Sequence, residues 1–404
     1  TIDPGLIDAL NTAVEATTKH PSLVQAVYNA HNKQPIFVDG KKNELASSVL
    51  PLLHDLASHA VDTTTWDLDP KTLTESALLT ADTVEKQAAL DLQLTQATID
   101  YVLEFRWIKR AHPFEFTKNP ETLIQKHHKA IVRDVLKALS DGTNGLRALW
   151  PQDESYAVLR TELERYALLE AQTDSHPKMP VVNLKPGIEG NNVTRLQQRL
   201  AFEAYYEGPI NGVYDEATTE AVKLYQRTHQ LSDDGHVGKK TVQSMNVPMT
   251  RRKQQIALGL QRWRESTSLR ENATTFGRGN LPGVSMGTYE DGKHARRHRV
   301  IIGSNALDVD REGWKQGHLN RTPFLKTRIY QVILNPTWMV PQRIRKQEIE
   351  PALEKNPNLF EEKGYREITL SNGKTVIVQG SGEDNALGRV KFLLEKTNAI
   401  YLHD

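Results

Sequence analysis

Asn211-Gly212-Val213-Tyr214-Asp215-Glu216-Ala217-Thr218 realigns, 23 positions on, with Asp234-Gly235-His236-Val237-Gly238-Lys239-Lys240-Thr241. Each copy has an Asx-Gly pair suited to a tight turn, a polar residue placed to start a helix, and a threonine three positions later, at N3 if that residue is the N-cap. Helical spacing follows in both: Ala221, Val222 and Tyr225 after the first, Val242 and Met245 after the second. A preceding helix is marked by Val193, Leu196 and Leu200 on one face. Residues 183–248 are therefore expected to form three short helices joined by tight turns. Such a unit of about 65 residues lies near the lower limit for a stable core.

On either side the character changes. Residues 1–182 read as mostly helical. Leu90, Leu94, Ala97, Tyr101 and Phe105 share a helical face, as do Tyr156, Leu159, Leu163 and Tyr166. Ahead of both, Asn32–Val38 reads as a short strand closed by an Asp39-Gly40 turn. The stretch 173–182, with Pro177 and Pro180, is the best linker. From 284 onward strands dominate. Lys293–Gly303 follows an Asp291-Gly292 hairpin turn, and Ile329–Leu334 ends at Asn335-Pro336. Glu367–Leu370 and Thr375–Val378 flank Asn372-Gly373 as a hairpin. Lys391–Leu394 and Ile400–Leu402 are short strand candidates, and about 342–362 is a polar, helix-prone insert. The fold class is multi-domain α+β, in three parts: 1–182, 183–248 and a mainly β 249–404.

The chain has 404 residues and a net charge of +1, with 51 Lys+Arg against 50 Asp+Glu. That balance gives no reason to expect nucleic acid, which demands a concentrated basic footprint. One local cluster stands out: Arg251, Arg252, Lys253, Arg262, Arg264 and Arg270 against Glu265. It reads as a solvated helix face or, alternatively, as a contact for an anionic partner. No apolar run approaches the roughly 18–20 residues that span a bilayer. The N-terminus, Thr1-Ile2-Asp3-Pro4, has neither the basic nor the apolar region of a signal peptide, so the chain is expected to be cytosolic, or mature after a signal or membrane anchor was removed. Cysteine is absent. Disulfides, thiolate-bound zinc and a cysteine nucleophile are excluded within these residues.

Several motifs are decoys. Gly283-Val284-Ser285-Met286-Gly287 fits the G-x-S-x-G elbow, but a hairpin and strand follow where a helix is required. Ser175-His176-Pro177-Lys178 fits S-x-x-K, yet Pro177 would break the helix that must carry it. His294 and His298 have even spacing on a strand but no acid between them and no third ligand, so no metal is expected. His54, His59, His127 and His128 likewise read as structural or surface residues.

Over 183–248, the stretches Leu184-Lys185-Pro186-Gly187, Val193-x-x-Leu196-x-x-x-Leu200, Gly208-x-x-Asn211-Gly212-x-Tyr214-Asp215 and Asp234-Gly235-x-Val237-Gly238-x-x-Thr241 resemble the three-helix peptidoglycan-binding domain. Arg299–Gly303, Arg321-Thr322-Pro323, Val332–Pro341 and Tyr401-Leu402-His403-Asp404 resemble the large multi-domain L,D-transpeptidases of the YkuD type from Gram-negative bacteria. Residues 1–182 are similar to their helical scaffold. The resemblance implies a helical scaffold, a peptidoglycan-binding domain and a catalytic domain at 249–404 with a lid insert at about 342–380, and it marks 304–320 as an added loop. It implies a periplasmic enzyme acting on peptidoglycan stem peptides and glycan without a cofactor. His403 would line the catalytic centre, and Trp338, Asn335 and Tyr330 would contact substrate. The family's Ser-His-Gly-Cys-x-Arg motif is absent, which implies a sequence ending before its nucleophile. L,D-carboxypeptidase action, a non-catalytic wall-binding scaffold and a zinc peptidase with the same binding module are the alternatives. Late in the chain Ile256, Leu260 and Trp263 share a helical face, which is expected to pack on the scaffold.

Overall fold

A computed structural model describes residues 2–38, 44–66, 69–107, 120–172, 178–266, 273–309, 315–397 and 400–404. The chain divides into two compact units, Thr1–Ile302 and Gly303–Asp404.

The first unit begins with α1 (Pro4–Ala16), where the Asp3 carboxylate accepts the Gly5 N–H at 2.8 Å and Pro4 occupies the first turn. Then come α2 (Pro21–Ala30), α3 (Glu44–His54), α4 (Glu75–Thr80), α5 (Val84–Val102), α6 (Pro120–Ser140), α7 (Gly142–Arg147) and α8 (Glu154–Ala171). The long helix α5, extended by a π-helical turn at Leu103–Trp107, runs through the core. Its predicted face (Leu90, Leu94, Ala97, Tyr101, Phe105) is buried with Leu6 and Leu10 of α1, Leu23 and Val27 of α2, and Ile131 and Val135 of α6.

The expected strand at 32–38 does not join a described sheet. The N–H groups of Ile36, Phe37 and Val38 instead all donate to Asp91 Oδ2 on α5, at 2.9, 2.6 and 2.8 Å. Tyr28 donates to Oδ1 at 2.6 Å. Burial pushes the Asp91 carboxyl up, against these four donors. A buried acid that captures three successive N–H groups replaces the ladder a strand would need. The Asp39-Gly40 turn and the Ser175–Pro177 part of the linker lie outside the described residues.

The repeat region folds as α9 (Asn191–Phe202), α10 (Glu216–Thr228) and α11 (Lys239–Met245). In the first copy Asp215 is the N-cap and accepts the Thr218 N–H at 2.8 Å; in the second the N-cap is Gly238, with no side chain to offer. Gly212 and Gly235 take φ of 75° and 72°, which explains the glycine after each Asx. Three amides knit the unit. Gln197 Nε2 donates to Asn211 Oδ1, the Val213 carbonyl and Thr218 Oγ1 at 3.0–3.1 Å, while its Oε1 accepts the Gly212 N–H at 2.9 Å. Gln226 repeats the pattern on Asp234, His236, Thr241 and Gly235. Asn246, at the matching place after α11, holds both the N–H and the carbonyl of Met179. The Arg199 guanidinium, wholly buried, donates to the Met245 carbonyl and pairs with Glu203. Tyr166 of α8 donates to the same Glu203 at 2.7 Å, tying this unit to α8.

The last helix, α12 (Met249–Ser266), packs through Ile256, Ala257, Leu260 and Trp263 on Tyr156, Leu159 and Leu163 of α8. The face read from sequence is the face used. Its basic cluster is a solvated face only in part: Arg251 and Arg262 are exposed and bond within the helix, to Gln254 and Glu265. Arg252 donates to the Ser244 carbonyl, Lys253 pairs with Glu170, Arg262 with Glu265, and buried Arg264 with Glu104. Arg252, Lys253 and Arg264 tether the helix to its neighbours; Arg270 lies outside the described residues. β1 (Phe276–Asn280), β2 (Ser285–Glu290) and β3 (Lys293–Arg299) form an antiparallel meander, turned between β2 and β3 by Asp291 and Gly292 at φ 49° and 73°. The Arg278 guanidinium sits over both Trp263 and Tyr289, 4.2 and 4.9 Å from the ring centroids.

The second unit holds β4 (Asp308–Val309), β5 (Lys315–Gly317), β6 (Ile329–Leu334), β7 (Trp338–Met339), β8 (Tyr365–Thr369), β9 (Thr375–Gln379), β10 (Val390–Leu394) and β11 (Tyr401–His403). The 304–320 stretch carries the small β4–β5 ladder. The larger sheets run β11-β10-β6 and β7-β9-β8. Between β7 and β8 the insert supplies α13 (Gln342–Ile344), α14 (Glu350–Lys355) and α15 (Leu359–Glu362). Val340, Ile349 and Ile377 form a small core with Trp338, Ile344, Leu359, Phe360 and Tyr365.

Candidate active site

Antiparallel pairing sets the geometry of the C-terminal sheet. Lys391 faces His403 across β10–β11, Leu393 faces Tyr401, and Ile333 of β6 lies opposite Lys391 on the other side. The two-residue spacing of Tyr401 and His403 puts both on one face, their rings 6.0 Å apart. Lys391 shares that face, its Nζ 3.8 Å from the centre of the Tyr401 ring. Trp338, half-buried on β7, donates a side-chain hydrogen bond to the Tyr401 hydroxyl. Burial raises the Tyr401 pKa while that bond lowers it; burial also lowers the Lys391 pKa. His403 is exposed, and its Nδ1 lies 3.0 Å from the Asp404 carbonyl oxygen.

Two of the residues picked from sequence, His403 and Trp338, therefore meet around Tyr401. Asn335 stands at a corner of the chain. Its backbone turns at φ 48° and donates to the Arg389 carbonyl at 2.8 Å, while Asn385 holds the Pro336 carbonyl at 3.1 Å. That corner carries the chain from β6 in one sheet to β7 in the other. Tyr330 sits exposed at the bulge of β6, where the ladder skips it. Among the described residues no contact joins it to the Tyr401 group. Sequence reasoning passed over Tyr401 and Lys391 as site residues. The alternation of Tyr401 with His403 was visible, but the alignment of Lys391 with them depends on a register that only pairing fixes.

The decoys resolve locally. Ser285 is buried at the start of β2, and its Oγ accepts from Arg297 Nη2 at 3.4 Å. His59 is enclosed by Phe105, Trp150 and Tyr156, its Nδ1 2.7 Å from the Tyr156 hydroxyl. His54 bonds the Leu73 carbonyl and His128 the Ser22 carbonyl. Among the described residues no three His, Asp or Glu side chains converge as metal ligands.

Three families match successive parts of the chain. Residues 22–163 match one described as "Scaffold domain", 189–245 one described as "Putative peptidoglycan binding domain", and 280–404 the YkuD family, "L,D-transpeptidase catalytic domain". A Haemophilus influenzae protein named "Putative L,D-transpeptidase" is 23% identical over 357 residues, covering 80% of this chain and 65% of that protein. The Bacillus subtilis "Spore cortex-lytic enzyme" is 41% identical over 63 residues, 15% of this chain and 21% of that enzyme. The chain thus spans less than two thirds of the length of either relative. It carries, in order, a scaffold domain, a peptidoglycan-binding domain and an L,D-transpeptidase catalytic domain of the YkuD family.

Proposed function

We propose that this polypeptide belongs to a periplasmic peptidoglycan L,D-transpeptidase that crosslinks stem peptides. The observation that carries the reading is the placement of His403 on one sheet face with Tyr401 and Lys391, with Trp338 reaching Tyr401 from the neighbouring sheet, inside the stretch similar to the L,D-transpeptidase catalytic domain. The aromatic pair offers a wall against which an extended peptide can lie, and His403 stands open beside it. Residues 342–380 are placed in sequence to act as the lid.

In this reading a cysteine thiolate attacks the carbonyl of the donor stem's third residue. The C–N bond to the terminal D-alanine breaks, and the departing amine takes a proton. A thioester remains; the amine of a neighbouring stem attacks it, loses a proton and releases the thiolate. Backbone N–H groups would stabilise the oxyanion of both tetrahedral intermediates. These 404 residues contain no cysteine, so the thiol belongs to residues outside them.

The test uses the protein isolated from its natural source. Peptide mapping locates a cysteine-bearing peptide, and the protein is incubated with disaccharide-tetrapeptide and followed by mass spectrometry. Dimer formation with loss of D-alanine, abolished by thiol alkylation and indifferent to chelators, is the expected result. Release of D-alanine without dimers would assign a carboxypeptidase. Chelator-sensitive, alkylation-resistant cleavage would assign a zinc peptidase, and complete inactivity a wall-binding scaffold.

A further inference from the structure

We propose that β3 is a docking ribbon for the carboxylates of the peptidoglycan layer itself, separate from the three-helix domain; this rests on the function proposed above. All seven residues of Lys293–Arg299 are exposed, and β3 is an edge strand of its sheet. It carries Lys293, Arg296, Arg297 and Arg299 with two histidines and no acid. Among the described residues none of these four cations forms an ion pair; Arg297 reaches only the Ser285 hydroxyl. The contrast with α12 is direct, since there Lys253, Arg262 and Arg264 are all paired with acids.

A charge or two suffices to keep an edge strand from pairing with another chain. Four like charges within seven residues repel one another, and such a row is relieved by an external polyanion. The strand extends about 20 Å at roughly 3.3 Å per residue, a linear array suited to a polymer with repeated carboxylates. Stem peptides on glycan supply that pattern. An anionic bilayer is disfavoured, because the adjoining hairpin tip is acidic, with Glu290 and Asp291 exposed.

The test is cosedimentation of the full chain with purified sacculi at about 50 mM salt, where screening is weak. The variant Lys293→Gln/Arg296→Gln/Arg297→Gln/Arg299→Gln is expected to bind roughly tenfold more weakly, and an Arg→Lys version to bind as the parent does. Sacculi whose carboxyls have been amidated should lose the parent's binding to a similar degree; that arm decides the matter if the glutamine variant does not fold. Unchanged binding of a folded glutamine variant to intact sacculi would overturn the ribbon and leave the proposed enzyme standing. Failure of the parent to bind any sacculi would overturn both. Loss confined to phosphatidylglycerol vesicles would overturn it in favour of a membrane surface.

Discussion

Replacing Gln197 by leucine keeps the side-chain bulk and removes the amide at the centre of the peptidoglycan-binding domain. Gln197 is fully buried, so water cannot substitute for what is lost. Its partners fare differently. The Val213 carbonyl keeps the Asp215 N–H at 3.0 Å, and the Thr218 hydroxyl keeps the Val213 carbonyl at 3.4 Å. The Gly212 N–H keeps nothing: its acceptor was Gln197 Oε1. One orphaned buried donor costs about 1–3 kcal/mol, so Gln197→Leu should destabilise the domain by about 2 kcal/mol. In a unit of this size that corresponds to a drop of roughly 8–16 °C in Tm. Gln226→Leu, which orphans the Gly235 N–H in the same way, should cost the same within about 1 kcal/mol. Urea unfolding followed by circular dichroism measures both. A loss below about 0.5 kcal/mol for either, or a large loss for one alone, would refute the claim that the two amides are equivalent keystones.

Three further outcomes are expected. Burial, then the Arg160 and Arg264 cations, lower the His59 pKa to about 3 from the ordinary 6.5. The unfolded chain therefore takes up a proton that the fold refuses, and stability should fall as pH drops from 6.5 toward 3. His59→Gln should flatten that slope in pH-dependent denaturation; an unaltered slope would refute the assignment. Arg264→Leu strips Glu104 and the His59 carbonyl of a buried partner and should cost about 3–5 kcal/mol in the same assay, a neutral result being contrary. If the function proposed above holds, His403→Ala should lower kcat of the protein expressed in its natural source roughly a hundredfold, as misplaced reacting groups do, and full activity would remove His403 from the proposed catalytic centre.

Local signals in the sequence carried far. Asp291-Gly292 and Asn372-Gly373 announced their hairpins because only residues tolerant of positive φ fit there. Ile256, Leu260 and Trp263 announced the buried face of α12 through spacing alone. What stayed hidden depends on distant partners. Asp91 holds 36–38 from more than fifty residues away, and no pattern near Ile36 betrays it. The basic run of α12 looked uniform, although Glu170 and Glu104, which neutralise part of it, come from the scaffold. At the site, His403 and Trp338 were reached through resemblance. Their meeting at Tyr401, and the presence of Lys391, follow from strand register. The sequence did hold an unused clue, since Val193-x-x-Leu196-Gln197, Val222-x-x-Tyr225-Gln226 and Val242-x-x-Met245-Asn246 place an amide directly after a core residue of each helix.

The third of those amides has a consequence for how the protein is assembled. Gln197 and Gln226 each reach forward along the chain, but Asn246 reaches back to Met179, ahead of all three helices. The incoming and outgoing strands of the domain are thereby clasped at one point, just before Met249 opens α12. Since α12 lies directly on α8, those two helices are one antiparallel hairpin whose loop has been replaced by a self-closing bead. A bead on a clasped neck closes on itself, and among the contacts described above its further ties to the two stems are side-chain contacts such as Tyr166 to Glu203 and Arg252 to the Ser244 carbonyl.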